Sequence, residues 1–115
     1  MSSEKEGQRF VQVQVTCPSE ELARELGRLI VVKDLAGCVQ VSGPISSFYK
    51  WRGKLEEDQE WKCVIKTIAL RLEEIEETVK VIHTYDVPEI LVTDITGGSE
   101  EYLNWLAKES SKKPN

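Results

Sequence analysis

The sequence predicts an α+β fold: the ferredoxin-like split βαβ sandwich, in the order β-α-β-β-α-β, with one more helix at the C-terminus. Three observations carry this. Apolar residues recur at period two near the start of the chain and form strand-like runs in its middle. Two stretches place apolar residues three and four apart, which marks amphipathic helices. Two aromatic-rich runs flank Arg52-Gly53, a pair suited to a tight hairpin because glycine takes positive φ. Two right-handed crossovers then interlock, with both helices on one face of an antiparallel sheet.

The elements follow in order. Phe10, Val11, Val13 and Val15 alternate with Gln12 and Gln14, which predicts a first strand ended by Pro18. Ser19 is placed to cap a helix, with Glu20 and Glu21 in its first turn. Leu22, Ala23, Leu26, Leu29, Ile30 and Lys33 continue it, and Gly37 reads as its stop. Cys38, Val39 and Val41 open a second strand that reaches Trp51, with a bulge or kink expected at Gly43-Pro44. Lys54 to Thr67 returns as the third strand. Both arms are about twice the usual strand length of roughly 5–6 residues, so the hairpin should overhang the domain and seek a partner, most simply another copy. Leu72, Ile75, Val79 and Ile82 predict the second helix, with Glu73, Glu74, Glu76 and Glu77 on its wet side, ending near His83. Ile90, Leu91, Val92 and Ile95 predict a fourth strand. Gly97-Gly98 turns the chain, and Ser99 caps a last helix expected to bury Tyr102, Trp105 and Leu106.

The 115 residues make one domain, 1–115, with polar tails expected at 1–8 and 110–115. A net charge of −5 argues against nucleic acid or an anionic membrane as partner. No apolar run reaches the ~20 residues of a membrane span, and the N-terminal stretch has no signal-peptide core. Three widely spaced cysteines suggest a reducing, cytoplasmic setting rather than a disulfide framework.

No motif marks an enzyme: there is no phosphate loop, no Cys-x-x-Cys, no His-Glu-x-x-His and no nucleophile elbow. His83, the sole histidine, is either a metal ligand or base, or a helix-end ring satisfying a nearby carbonyl. Cys17, Cys38 and Cys63 are either soft metal ligands or small buried hydrophobes. Glu56, Glu57 and Asp58 read as a solvated tip, with calcium as the competing reading. Glu60 lies further into its strand, where a carboxylate needs a partner such as Lys54 or Lys66. Tyr49, Trp51, Trp61 and Trp105 either stack on a ligand or fill core and subunit interface.

Several runs together resemble the CutA family, the divalent-cation tolerance proteins. They are Leu35-Ala36-Gly37-Cys38-Val39, Trp51-Arg52-Gly53-Lys54, Glu60, Ile65-Lys66-Thr67, His83-Thr84-Tyr85-Asp86-Val87-Pro88 and Tyr102-Leu103-Asn104-Trp105. The resemblance covers residues 10 to 107. It implies a homotrimer in which the long hairpins reach across subunits. It also implies a part in the response to metal ions, with copper or another divalent cation as ligand, and no catalysis. The family's proposed copper ligands are a cysteine late in the first strand and two histidines closing the second helix. Here those positions read Val15, Ile82 and His83, so His83 carries over, with Cys17 as the nearest thiol. Cys38, Trp51, Lys54, Glu60, Lys66 and Tyr85 match family positions and would line the intersubunit cleft, with Lys66 paired to a carboxylate there, most simply Glu60. Thr84 stands where a proline is usual, and Lys50, Lys62 and Cys63 are unusual in the hairpin. The architecture also resembles the PII signalling proteins. The alternative reading is therefore a PII-like trimeric sensor, with Lys54 and Lys66 holding an anionic metabolite.

Overall fold

The computed structural model describes residues 8–111, so of the tails expected at 1–8 and 110–115, residues 1–7 and 112–115 lie outside the described residues. Strand β1 spans Phe10–Cys17, helix α1 Glu20–Val32, β2 Cys38–Trp51 and β3 Lys54–Ile68. A short 3-10 turn, Ala69–Arg71, leads into α2, Leu72–Ile82; β4 is Ile90–Asp94 and α3 is Glu100–Ser110. The strands make one antiparallel sheet in the order β2-β3-β1-β4.

The alternation of β1 decides which face is buried. Val11, Val13 and Val15 are almost fully buried, while Gln12 and Gln14 face the other way and stay partly exposed. Val13 pairs with Ile65 and Val15 with Cys63. These side chains pack with Leu26 and Ile30 of α1 and Ile75 and Val79 of α2 in one core. Each such apolar side chain stabilises the fold by roughly 1.5–3 kcal/mol relative to exposure. Gly27 of α1 lies against β2: a Cβ there would stand 3.3 Å from Val39 Cγ1.

The helix boundaries have local causes. Ser19 Oγ accepts the N–H of Leu22 at 3.1 Å, as the sequence predicted. The stop is not Gly37. Lys33 caps α1 and Asp34 takes φ 58, so Asp34 N–H reaches Val31 O at 3.0 Å and Leu35 N–H reaches Ile30 O at 3.1 Å. This is a Schellman-type ending with Asp in the left-handed position that glycine usually fills. Gly37 serves a different purpose: a Cβ there would stand 2.8 Å from Leu106 Cδ1, so its smallness lets α3 sit close.

Ser99 Oγ accepts the N–H of Tyr102 at 3.2 Å and starts α3 where expected. Burial along α3 differs from expectation. Leu106 and Ser110 are fully buried, whereas Tyr102 and Trp105 remain about two-fifths exposed and lean on each other, ring centroids 5.5 Å apart. The buried line runs along Leu106 and Ser110, which leaves the two aromatics at its shoulder. Ser110 is therefore the end of a packed helix and not the start of a tail; its carbonyl accepts Arg71 Nε at 2.7 Å.

The hairpin is as long as the sequence predicts, 14 residues in β2 and 15 in β3. Arg52 and Gly53 both take positive φ, 51° and 80°, the geometry of a type I′ turn. Only Trp61–Ile68 of β3 pairs with β1, so Lys54–Glu60 and its β2 partners extend beyond the sheet as a two-stranded ribbon. The extents, 46 × 29 × 23 Å, reflect this overhang. The expected bulge lies between Ser42 and Ile45, where Gly43 has φ 152 and the Gly43-Pro44 peptide is cis. No helix among the described residues is long and apolar enough to cross a membrane.

Candidate functional site

A cleft of about 640 Å³ opens where the ribbon leaves the sheet. One wall is the ribbon, with Tyr49 and Trp51 from β2 and Glu56, Asp58 and Glu60 from β3. The other is the end of β1 at Thr16 and the loop after α2, with Thr84, Tyr85, Asp86, Val87 and Glu89. The strand register explains the first wall. Glu56, Asp58 and Glu60 alternate on one face of β3, and Tyr49 lies directly opposite Glu56.

Among the described residues, five carboxylates line this cleft and no lysine or arginine does. Three of them are held by neutral donors. Tyr85 Oη donates to Glu60 at 3.0 Å, Tyr49 Oη donates to Asp58, and Gln14 Nε2 donates to Glu89 at 2.9 Å. Glu60 is 8% exposed, so a nearly buried carboxylate rests on a phenol and not on a cation. Burial first, then the Glu60 carboxylate, push the Tyr85 phenol well above its ordinary range. Tyr49, outside the core, is pushed up to about 12, chiefly by its bond to Asp58.

His83 supports this wall. Its Nε2 lies 2.7 Å from Thr16 O, and its Nδ1 lies 3.1 Å from the Tyr85 amide. A carbonyl only accepts and an amide only donates, so Nε2 carries the proton and Nδ1 is the acceptor. The ring also packs on Tyr85, centroids 4.8 Å apart. Both nitrogens are thus engaged by backbone: Nε2 carries the proton, and the lone pair of Nδ1 is taken by the Tyr85 amide, so neither is open to a metal. The helix-end reading of His83 describes its contacts.

Cys17 does not join it. Cys17 is fully buried on the core face, where its thiol first, and burial second, raise the neighbouring Cys63 thiol above its ordinary range. Cys63 Sγ also lies 3.4 Å from Ala23 O. The pair His83 and Cys17 therefore does not fit copper, and the described residues contain no group of three or more His, Cys, Asp or Glu close enough to hold a metal ion.

The six expected cleft residues divide. Trp51, Glu60 and Tyr85 line this cleft. Lys54 pairs with Trp51 at the tip of the ribbon but does not line it. Cys38 and Lys66 pair with each other at the far end of the hairpin, where Cys38 adjoins Tyr102 and adds to the burial that raises its phenol. Glu60 and Lys66 are six positions apart on one strand, roughly 20 Å, so they do not pair within a chain. The acidic tip is exposed at Glu57 and Asp58 and half-buried at Glu56, and Glu56 and Asp58 also line the cleft. Thr16, Asp86 and Glu89 were not expected in it: Thr16 comes from the end of β1, and for Asp86 and Glu89 no periodicity tells which way a loop side chain turns.

The chain resembles known proteins along most of its length. Residues 11–109 match the model of the family described as CutA1 divalent ion tolerance protein. The divalent-cation tolerance protein CutA of Thermus thermophilus is 40% identical over 98 residues, covering 85% of this chain and 95% of that protein. The chloroplastic CutA protein of Arabidopsis thaliana is 44% identical over 96 residues; there the match covers 84% of this chain and 53% of the relative, so the chain spans about half of that longer protein. Among solved structures, CutA1 from Oryza sativa superposes with a TM-score of 0.87 at 39% identity, covering 92% of this chain and 96% of that one.

Proposed function

The chain belongs to the CutA1 divalent ion tolerance family, and from that premise we propose that it is a cytoplasmic, homotrimeric binding protein acting in the response to divalent metal ions, without catalysis. The observation that carries the metal reading is the cleft, with five carboxylates and no lysine or arginine lining it among the described residues. Such a concave surface focuses negative potential and raises the local concentration of cations. Copper is one of the cations to be tested there, because His83 and Cys17 offer no pair of free donors. The trimer reading, with its ferredoxin-like protomer, is supported by the overhanging ribbon. Phe48 and Leu55 are each more than half exposed on it, on the face away from the cleft, and its outer edge at β2 has no partner strand among the described residues.

No observation favours the PII-like reading. An anionic metabolite would meet carboxylates in this cleft, and Lys54 and Lys66 lie outside its lining. The test is calorimetric titration of copper(II) and magnesium into chelator-washed protein, beside His83→Ala and the double variant Asp58→Asn, Asp86→Asn. Cation uptake lost in the double variant and kept in His83→Ala is the expected result. Stoichiometric copper uptake lost in His83→Ala alone would overturn the cleft reading. Light scattering should give three times the chain mass, and a monomer mass at micromolar concentration would refute the trimer.

A further inference from the structure

The same cleft has features that a bare metal ion does not explain. Its volume lies in the range of organic-ligand pockets, roughly 300–1,000 Å³, and it is far larger than one ion needs. Its carboxylates are too dispersed to form a metal-holding group among the described residues. Instead Glu56, Asp58 and Glu60 repeat along one face of β3 at about 7 Å, two strand steps. Tyr49, Trp51 and Tyr85 stand among them. Aromatic faces attract organic cations, and one of these rings already does so: the Arg52 guanidinium lies over Trp51, 5.8 Å from its centroid. Glu60, nine-tenths buried, has no ion-pair partner among the described residues. The lysines flanking this row on the same face of β3, Lys54 and Lys62, do not line the cleft.

We propose that the cleft binds an organic dication or polycation, an alkyl diamine or polyamine, lying along β3. Its ammonium groups meet successive carboxylates and its methylene stem rests on Tyr49 and Trp51. A diamine with a four- or five-carbon stem matches the carboxylate repeat. A metal ion uses the carboxylates but not the aromatic walls. A monoamine uses only one carboxylate. This inference rests on the cleft reading above but not on its metal.

The test is isothermal titration of the full-length, chelator-washed protein at low ionic strength with three probes: 1,5-diaminopentane, 1-aminopentane and magnesium chloride. The diamine should bind at least about tenfold more tightly than the monoamine, the size of one added charged hydrogen bond. Its affinity should fall as salt is raised. Glu60→Gln and Asp58→Asn should each weaken the diamine about tenfold and leave the monoamine less affected. Asp58 is exposed, so Asp58→Asn decides the matter if Glu60→Gln fails to fold. Equal affinity for diamine and monoamine, no heat from the diamine, or undiminished diamine binding in folded Asp58→Asn would each overturn the proposal. Metal uptake without diamine uptake sinks this inference alone. Diamine uptake without metal uptake supports it and sinks the metal reading alone.

Discussion

His83→Ala separates a supporting role for this ring from a ligand role. The ring makes two hydrogen bonds to backbone, Nε2 to Thr16 O at 2.7 Å and Nδ1 from the Tyr85 amide at 3.1 Å, and the residue is 9% exposed. Removing it leaves the Thr16 carbonyl, on a residue 6% exposed, without this partner. A buried group left unsatisfied costs about 1–3 kcal/mol. Tyr85 is more exposed and water can reach its amide, so that bond adds about 1 kcal/mol. The combined loss is about 3 kcal/mol for the metal-free protein, before any cost of the space left by the ring. His83→Gln keeps an amide donor for Thr16 and should lose about half as much. Urea unfolding of chelator-washed proteins, at one fixed protein concentration because assembly would shift the midpoint, measures both. A ligand role predicts the reverse pattern: little change without metal, and a large loss of metal-induced stabilisation. If metal-free His83→Ala unfolds within about 0.5 kcal/mol of the parent, the range of an ordinary surface change, the supporting role is refuted.

Two glycines should respond for opposite reasons. Gly37→Ala pushes a methyl to 2.8 Å from Leu106 Cδ1 and should cost about 1–3 kcal/mol, seen as weaker amide-exchange protection of α3 first; unchanged protection there would refute the close seat of α3. Gly53→Ala meets no atom within 4 Å, yet at φ 80 it should cost about 1–2 kcal/mol in thermal unfolding, from backbone strain alone; a neutral result would refute the type I′ assignment. Tyr85 has a folded-state phenol pKa above its unfolded value. Its contribution is therefore complete below pH about 10 and is lost as pH rises through the higher folded value. Urea midpoints should fall more steeply with rising alkaline pH in the parent than in Tyr85→Phe; parallel curves would show that Tyr85 is not desolvated against Glu60.

Much of the fold was legible because local chemistry and tertiary packing agree. The alternation of Val11, Val13 and Val15, the Ser19 and Ser99 caps and the Arg52-Gly53 turn are each decided within a few residues. The errors came where one signal has two uses. Gly37 suits a helix stop and a close helix approach, and only the second occurs; Asp34 ends the helix at φ 58, which few residues other than glycine tolerate. Trp105 is apolar enough for a core, but the helical phase places it at the edge of the buried line. Within one chain Trp51, Glu60 and Tyr85 share a cleft, and strand distance keeps Lys66 from meeting Glu60 of the same chain; the expectation of a cleft between subunits concerns a second copy. Asp86 and Glu89 entered the cleft from a loop whose side-chain directions no periodicity records.

The bulge in β2 has a consequence for how this cleft could change. From Ser42 to Ile45 the chain takes three steps while its partner takes two, from Lys62 to Glu60. Before that point even-numbered residues of β2 share a face with the even-numbered residues of β3; after it, odd-numbered ones do. The extra residue acts as a reading-frame shift written in side-chain direction. It turns Tyr49 and Trp51 toward the carboxylates and sends Phe48 and Lys50 to the opposite surface. Deleting one residue at Gly43-Pro44 would leave two steps against two, removing the bulge while Tyr49 stays opposite Glu56 and Trp51 opposite Lys54. The extra residue therefore joins two registers one residue apart, that of the sheet and that of the ribbon counted back from the Arg52-Gly53 turn, and it is the ribbon's register that holds the two rings over the carboxylates.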